Sequence, residues 1–250
     1  MRWKTIYFCA LNTIAMALIL NIETSTRNCS VALSDNDRLL SIREADQGNE
    51  HAARIAVFVD EVLQEAGKRC AEIDAVAVGE GPGSYTGLRI GVSMAKGLAY
   101  SLERPLVAVS PLQAMAMAAA QRNLNQGGSK DALFCPMTDA GRMEVYAALY
   151  DNMGNEVRKI AADIVNESTY ADYLQNRQVV FCGNGCGKCR PVISSPNALF
   201  YEDICPSARY MPLLASRACQ SGKFEDVAYF EPFYLKDFVA GKPHVKGLAS

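Results

Sequence analysis

A chain of 250 residues is long enough to bury one large core or two small ones. Half of its residues are hydrophobic and about a fifth are charged, which excludes a disordered or low-complexity chain. The formal net charge of −2 gives none of the basic excess that marks a chain gripping nucleic acid by itself, and nine cysteines, an odd number scattered through apolar segments, fit reduced thiols better than a disulfide framework.

Arg2 and Lys4 ahead of the mostly apolar residues 6–20 imitate a secretory signal. No small-residue cleavage site closes that run before Asn21, and cleavage there would remove an apolar strand that the later pattern needs. The expectation is a cytoplasmic protein with no membrane span. Residues 18–23, 29–34 and 39–45 read as three short strands with polar turns, an antiparallel meander. A helix follows over about 50–66, ending at Gly67. Next come a strand at 75–78, a glycine-rich turn, a long helix to about Leu102, a strand at 106–109 and a helix over about 111–123. Three strands followed by alternating helices and strands describe a ribonuclease-H-like α/β unit with a mixed sheet.

Residues 125–129 (Asn-Gln-Gly-Gly-Ser) read as a linker, after which the order partly repeats. Strands are expected at 133–138, 145–150 and 157–160, a helix near 168–176, a strand at 179–181 and a further helix over 206–221. The division that follows is a first unit over 16–124 and an abbreviated second over 130–250, behind an N-terminal extension of residues 1–15.

The turn after residue 78 organises the chain. Its glycines and Pro82 force a sharp bend, and Ser84 or Thr86 is placed to cap the helix that follows. Gly87, Gly91 and Ala95 recur every fourth residue and leave one helix face nearly bare, at roughly 1 kcal/mol for each mid-helix glycine. Such a face lets another backbone come close. A phosphate loop is the competing reading, with Glu23, Thr24, Ser25, Gly83, Ser84 and Thr86 as the residues of a vestigial nucleotide loop. Against it, Gly87 is followed by Leu88-Arg89 rather than the Lys-Ser/Thr of a Walker loop, and Thr86 stands where a dinucleotide fingerprint needs its third glycine.

The run from Gly81 to Gly91 (Gly-Pro-Gly-Ser-Tyr-Thr-Gly-Leu-Arg-Ile-Gly), continuing to Ala95-Lys96-Gly97-Leu98-Ala99, resembles the signature of the TsaB (YeaZ) family. The resemblance covers nearly the whole chain from Met16, where that family typically begins. Residues 19–26 are similar to its opening strand and loop, with Glu23 where Asp is usual. Asp139-Ala140-Gly141-Arg142-Met143-Glu144-Val145-Tyr146 resembles its Asp-Ala-Arg-x-x-Glu-Val-Tyr, with Gly141 in place of Arg, and Tyr234-Leu235-Lys236 resembles its C-terminal segment. The resemblance implies two ribonuclease-H-like units of the actin, sugar-kinase and Hsp70 superfamily. It also implies a non-catalytic scaffold that pairs with the TsaD paralogue and works with the TsaE ATPase. That complex transfers a threonylcarbamoyl group to N6 of adenosine 37 in tRNAs reading codons that begin with A. The tRNA would be met only through the complex, no cofactor would be held by this chain, and a homodimer is expected when the partner is absent. The rival reading is a small-molecule kinase or ATPase on the same fold.

Metal chemistry has little support. The TsaD paralogues carry a His-x-x-x-His pair on the first helix, whereas His51 is followed four residues later by Ile55. Cys182, Cys186 and Cys189, with Cys205 as a fourth ligand, suggest a thiolate site, but Gly183-Asn184-Gly185 between them also reads as a turn after a strand. Asp139 and Glu144 are as well explained by a turn as by acid–base work, and Cys135 reads as core. Partner binding is better supported. On the 50–66 helix, Ile55, Val59, Val62 and Leu63 are assigned to the sheet, leaving Ala53, Val57 and Phe58 for another helix or another chain. Burying such a Val and Phe would contribute about 1.5–3 kcal/mol each.

Overall fold

The computed structural model describes residues 17–46 and 51–236, with the side chains of Asp46 and of residues 51–53 excepted. The extension expected over residues 1–15 lies outside the described residues. β1 (Leu18–Glu23), β2 (Asn28–Asp35) and β3 (Arg38–Asp46) form the antiparallel meander. The β2–β3 turn is closed by Asn36 at φ 53°, a conformation Asn tolerates better than other non-glycine residues. α1 (His51–Glu65) leads to β4 (Ala75–Gly79), and α2 (Tyr85–Ser101) leads to β5 (Leu106–Val109). Both crossovers return parallel strands, giving the order β3-β2-β1-β4-β5.

α3 (Pro111–Asn125) precedes β6 (Leu133–Asp139), β7 (Glu144–Tyr150) and β8 (Glu156–Ile164). α4 (Ala171–Asn176), β9 (Val179–Cys182), α5 (Cys186–Cys189), β10 (Ala198–Tyr201) and α6 (Pro212–Gln220) complete the described elements. The second sheet runs β10-β9-β6-β7-β8, the order of the first with β6 in the place of β1. Its crossover helices have 6 and 4 residues against 15 and 17 in the first unit, which is how the second unit is abbreviated. β10 and α5 lay inside a stretch that the sequence pattern left as loop.

β1 is buried along its length because it is central and covered on both faces. Leu20 and Ile22 point to a core shared with Ile55, Phe58, Val59 and Val62 of α1 and Val92 and Ala95 of α2. Ile19 points the other way, to Ala77, Val107, Ala114 and the α6 residue Ala215. Asn21 is tolerated in this strand because its amide donates to Ile19 O (3.2 Å) and Ser34 Oγ (3.1 Å).

The contacts move the boundary set at residue 124. α3 follows β5, yet Leu112, Met115, Ala116 and Ala119 pack on Phe134, Ala148, Tyr150 and Val180 of the second sheet. α6 follows the second sheet and packs on the first. The reason is visible in α3 itself. It is apolar almost all round, with Ala114 facing the first sheet and Met115 the second, so it is stable only between them. Glu44 of β3 binds Arg209 (2.8 Å), and Ser30 Oγ accepts from Ala208 N (2.8 Å), fastening the segment before α6 to the first sheet.

Candidate functional site

β4 delivers the chain into the glycine turn, where Gly81 has φ 105° and the Gly81–Pro82 bond is cis. Ser84 caps α2, its Oγ accepting from Gly87 N at 3.3 Å. The β1–β2 loop lies directly on this turn. Thr24 Oγ1 donates to Gly87 O (2.8 Å), and Ser84 N donates to Ser25 O (2.7 Å). A Cβ on Gly83 would lie less than 3.0 Å from Ser25 O, one on Gly87 equally close to Thr24 O, and one on Gly91 equally close to Thr24 Oγ1. The bare helix face therefore does receive another backbone, but that backbone is the chain's own. Gly87, Gly91 and Ala95, expected on a partner surface, are buried inside the first unit. Thr86 and Ser84 are exposed at the start of α2, whereas Thr24 and Ser25 are buried.

Glu23 ends β1 fully buried. Its Oε1 accepts from Ser25 N at 2.5 Å, and its Oε2 lies against Gly79, where any side chain would collide with it. Among the described residues, Glu23 Oε2 and Ser25 Oγ have no hydrogen-bond partner. Desolvation pushes the Glu23 carboxyl above the ordinary carboxyl range, and the backbone N–H groups of Ser25 and Thr24 only partly offset it. Glu80, next along, is raised by burial and by Glu225. At the start of α2 the Ser84, Gly87 and Leu88 amides are bonded within the chain.

A pH dependence follows. Below the ordinary value of 4.5 the Glu23 carboxyl is neutral in both folded and unfolded chains. Above it the unfolded chain releases the proton while the folded chain retains it, so stability is lost as pH rises towards and through the raised folded value. Glu23→Gln keeps the acceptor for Ser25 N and offers a donor to Ser25 Oγ. Urea unfolding of the parent and the variant from pH 5 to 8 should show the midpoint of the parent falling relative to Glu23→Gln, with the variant the more stable at pH 8.

On α1, Val57 is 53% exposed but Phe58 only 8%. Phe58 does not lie on the outer face expected from the sequence, and the helical period says why. Residues 55, 58, 59 and 62 follow the i, i+3, i+4, i+7 spacing of a single face, so Phe58 joins Ile55 in the core. The side chain of Ala53 lies outside the described residues. The surface that the sequence reading missed is the opposite side of α2. Arg89, Ser93 and Gly97 are exposed at four-residue spacing, two residues out of step with the buried 87, 91, 95 stripe, and Tyr100 follows at 72% exposure. A Cβ on Gly97 would meet nothing within 4 Å. The signal was a second stripe at the same period, masked by the more obvious glycines.

The second unit holds its polar candidates in ion pairs. Lys188 Nζ binds Asp139 and also donates to Glu144 O (2.7 Å), and Lys236 pairs with the Glu144 carboxylate. Burial would raise the Asp139 carboxyl, but Lys188 and the Gly141 N–H outweigh it and leave it below the usual range. Cys182, Cys186 and Cys189 are fully buried, with the Cys189 thiol 3.3 Å from Gly185 O. Burial pushes the Cys186 thiol up to about 12 and the Cys182 thiol well above its ordinary value. Among the described residues no group of three or more His, Cys, Asp or Glu side chains is placed to hold a metal ion. The His51 side chain and His244 lie outside the described residues. No described helix is long and apolar enough to cross a membrane.

Comparison with known proteins places these features among relatives. The family model described as TsaD, tRNA N6-adenosine threonylcarbamoyltransferase, matches residues 43–230. The tRNA threonylcarbamoyladenosine biosynthesis protein TsaB of Escherichia coli (strain K12) is 34% identical over 231 residues, covering 90% of this chain and 96% of that protein. The protein of the same name from Haemophilus influenzae is 32% identical over 233 residues, covering 90% of this chain and 95% of that protein. Among solved structures, YeaZ from Pseudomonas aeruginosa superposes with a TM-score of 0.70 at 29% identity, covering 88% of this chain and all of that one.

Proposed function

The chain belongs to the TsaB (YeaZ) family, and from that membership we propose that it serves in tRNA threonylcarbamoyladenosine biosynthesis as a non-catalytic subunit paired with a TsaD paralogue. The TsaE ATPase joins the assembled complex, tRNA is met through that complex in the cytoplasm, and two copies of this chain associate when the partner is absent. The observation that carries the reading is the filled glycine turn. In the place where a nucleotide-using relative would need open amides and a cation, the β1–β2 loop occupies the first turn of α2. The buried Glu23 carboxyl holds that loop from beneath, its Oε1 accepting from Ser25 N. The two cations on α2 are turned elsewhere, Arg89 to Tyr234 and Lys96 to the carbonyls of Ala228 and Phe230.

The partner surface on this reading is the outer side of the α1–α2 pair, with Val57, Ser93, Gly97 and Tyr100. Gly97 gives the close approach that the sequence reading assigned to Gly87 and Gly91. The expected result is that the purified chain turns over no ATP with Mg²⁺ and modifies no tRNA. Added to TsaD with the threonylcarbamoyl adenylate and unmodified tRNA, it raises product formation at least tenfold over TsaD alone. ATP turnover by the isolated chain that disappears in Glu23→Ala would establish the kinase or ATPase reading instead.

A further inference from the structure

The C-terminal segment after α6 has little regular structure, yet it is tied to α2 along nearly the whole helix. Glu225 N donates to Leu106 O at 2.9 Å, a single bridge on the edge strand β5. Val227 and Phe230 then pack against the core under α1 and α2. Lys96 Nζ donates to the carbonyls of Ala228 (3.1 Å) and Phe230 (3.0 Å), and Phe233 N donates to Glu80 O (2.8 Å). The segment therefore runs antiparallel to α2, arrives at the start of the helix with Tyr234, and ends with Lys236 on Glu144 of the second sheet.

Tyr234 meets two residues of the first helical turns. Its ring lies 5.0 Å from that of Tyr85, and its hydroxyl accepts from Arg89 Nε at 3.3 Å. The Arg89 guanidinium lies over the Tyr85 ring, 4.4 Å from its centroid. An arginine on an exposed helix face ordinarily samples many rotamers and loses that freedom on binding. Here one face of the guanidinium is covered by a ring and the Nε–H is already committed. The two terminal nitrogens make no hydrogen bond among the described residues, and the side chain stands on the Arg89, Ser93, Gly97 stripe. That is a planar fork, fixed in direction, with both terminal groups open to an acceptor.

We propose that Arg89 is a specificity-determining contact to the protein partner, taking a carboxylate of that partner in a bidentate pair, and that Tyr234 is its positioning residue. This rests on the reading of the chain as a TsaD-binding subunit. The carboxylate is the expected acceptor because the fork matches it in geometry and charge, and because an arginine held in place is the kind of residue on which interface affinity concentrates. Glu231, near enough to act on Arg89 electrostatically, is exposed and becomes the competing acceptor in the free chain.

The test is titration calorimetry of the full-length chain with purified TsaD at 50 and 300 mM NaCl, with thermal unfolding of every variant. Arg89→Leu should weaken binding at least tenfold at low salt, and Arg89→Lys should not restore it, because a lysine cannot make the fork. Tyr234→Phe keeps the ring on Tyr85 and loses only the hydroxyl. It should unfold at the temperature of the parent, bind three- to tenfold more weakly at 50 mM, and converge on the parent at 300 mM, which a simple loss of packing would not produce. Arg89→Leu that binds within twofold of the parent overturns the proposal while leaving the TsaD reading intact. A parent chain that does not bind TsaD overturns that reading first. If Arg89→Leu fails to fold, Arg89→Gln takes its place, and unfolding of both assigns Arg89 to the fold and ends the proposal.

Discussion

Phe58→Glu will abolish the cooperative unfolding transition of the chain, while Val57→Glu, one residue earlier, will fold as the parent does and lose its partner. Phe58 is 8% exposed and packed in the core that joins α1 to the first sheet. Emptying a buried phenylalanine site costs about 3–5 kcal/mol, and leaving an unpaired carboxylate there adds several kcal/mol more. Together these are comparable to the whole stability of a typical domain, about 5–15 kcal/mol. Val57 is 53% exposed, and a surface change of this kind alters stability by no more than about 0.5 kcal/mol. On the proposed interface a new charge is costly only when TsaD covers it, and a tenfold or greater loss of affinity is expected. Circular dichroism melts and light-scattering chromatography with and without TsaD read both results. A folded Phe58→Glu would contradict the packing of α1, and a Val57→Glu that binds TsaD as tightly as the parent would remove α1 from the interface.

The second large effect is a pair of identical substitutions with opposite signs. Alanine in place of a mid-helix glycine ordinarily stabilises by roughly 1 kcal/mol through helix propensity. Gly97→Ala should follow that rule, because its new methyl enters open space. Gly87→Ala should lose more than propensity returns. Its methyl meets the Thr24 carbonyl oxygen, a backbone atom of a loop held to α2 by the bonds to Gly87 O and from Ser84 N. Overpacking against a side chain costs about 1–3 kcal/mol, and a backbone atom has less room to yield. Urea unfolding should raise the midpoint for Gly97→Ala and lower it for Gly87→Ala. Equal shifts in the two variants would mean that the β1–β2 loop is not seated as described. Gly97→Ala carries a second readout, since the methyl that steadies the free helix should weaken TsaD binding if Gly97 is the point of close approach.

The sequence by itself determined the order of most strands and helices, because each of these is written in a local period; α5 and β10, four residues each, are too short to show one. Alternation in β2, continuous apolar runs in β1 and β4, and the Ser84 cap are properties of a few neighbouring residues. The glycine signature also identified the family, since a run that long constrains a backbone path more than any single position does. Glu23 was legible as a departure from the usual Asp, but its partnerless oxygen was not, because that depends on Gly79 at the end of the neighbouring strand β4, far away in sequence. Nor was it legible that α3 and α6 each cover the other unit's sheet, or that the bare face of α2 is filled by Thr24. These are contacts between residues tens of positions apart, and no local period encodes which of two apolar helix faces a distant backbone will reach. Only the tertiary structure decided that, and with it moved the candidate partner surface from Gly87 and Gly91 to the stripe of Arg89, Ser93 and Gly97. A helix has two sides at the same four-residue spacing, and only packing selects which one is left for solvent.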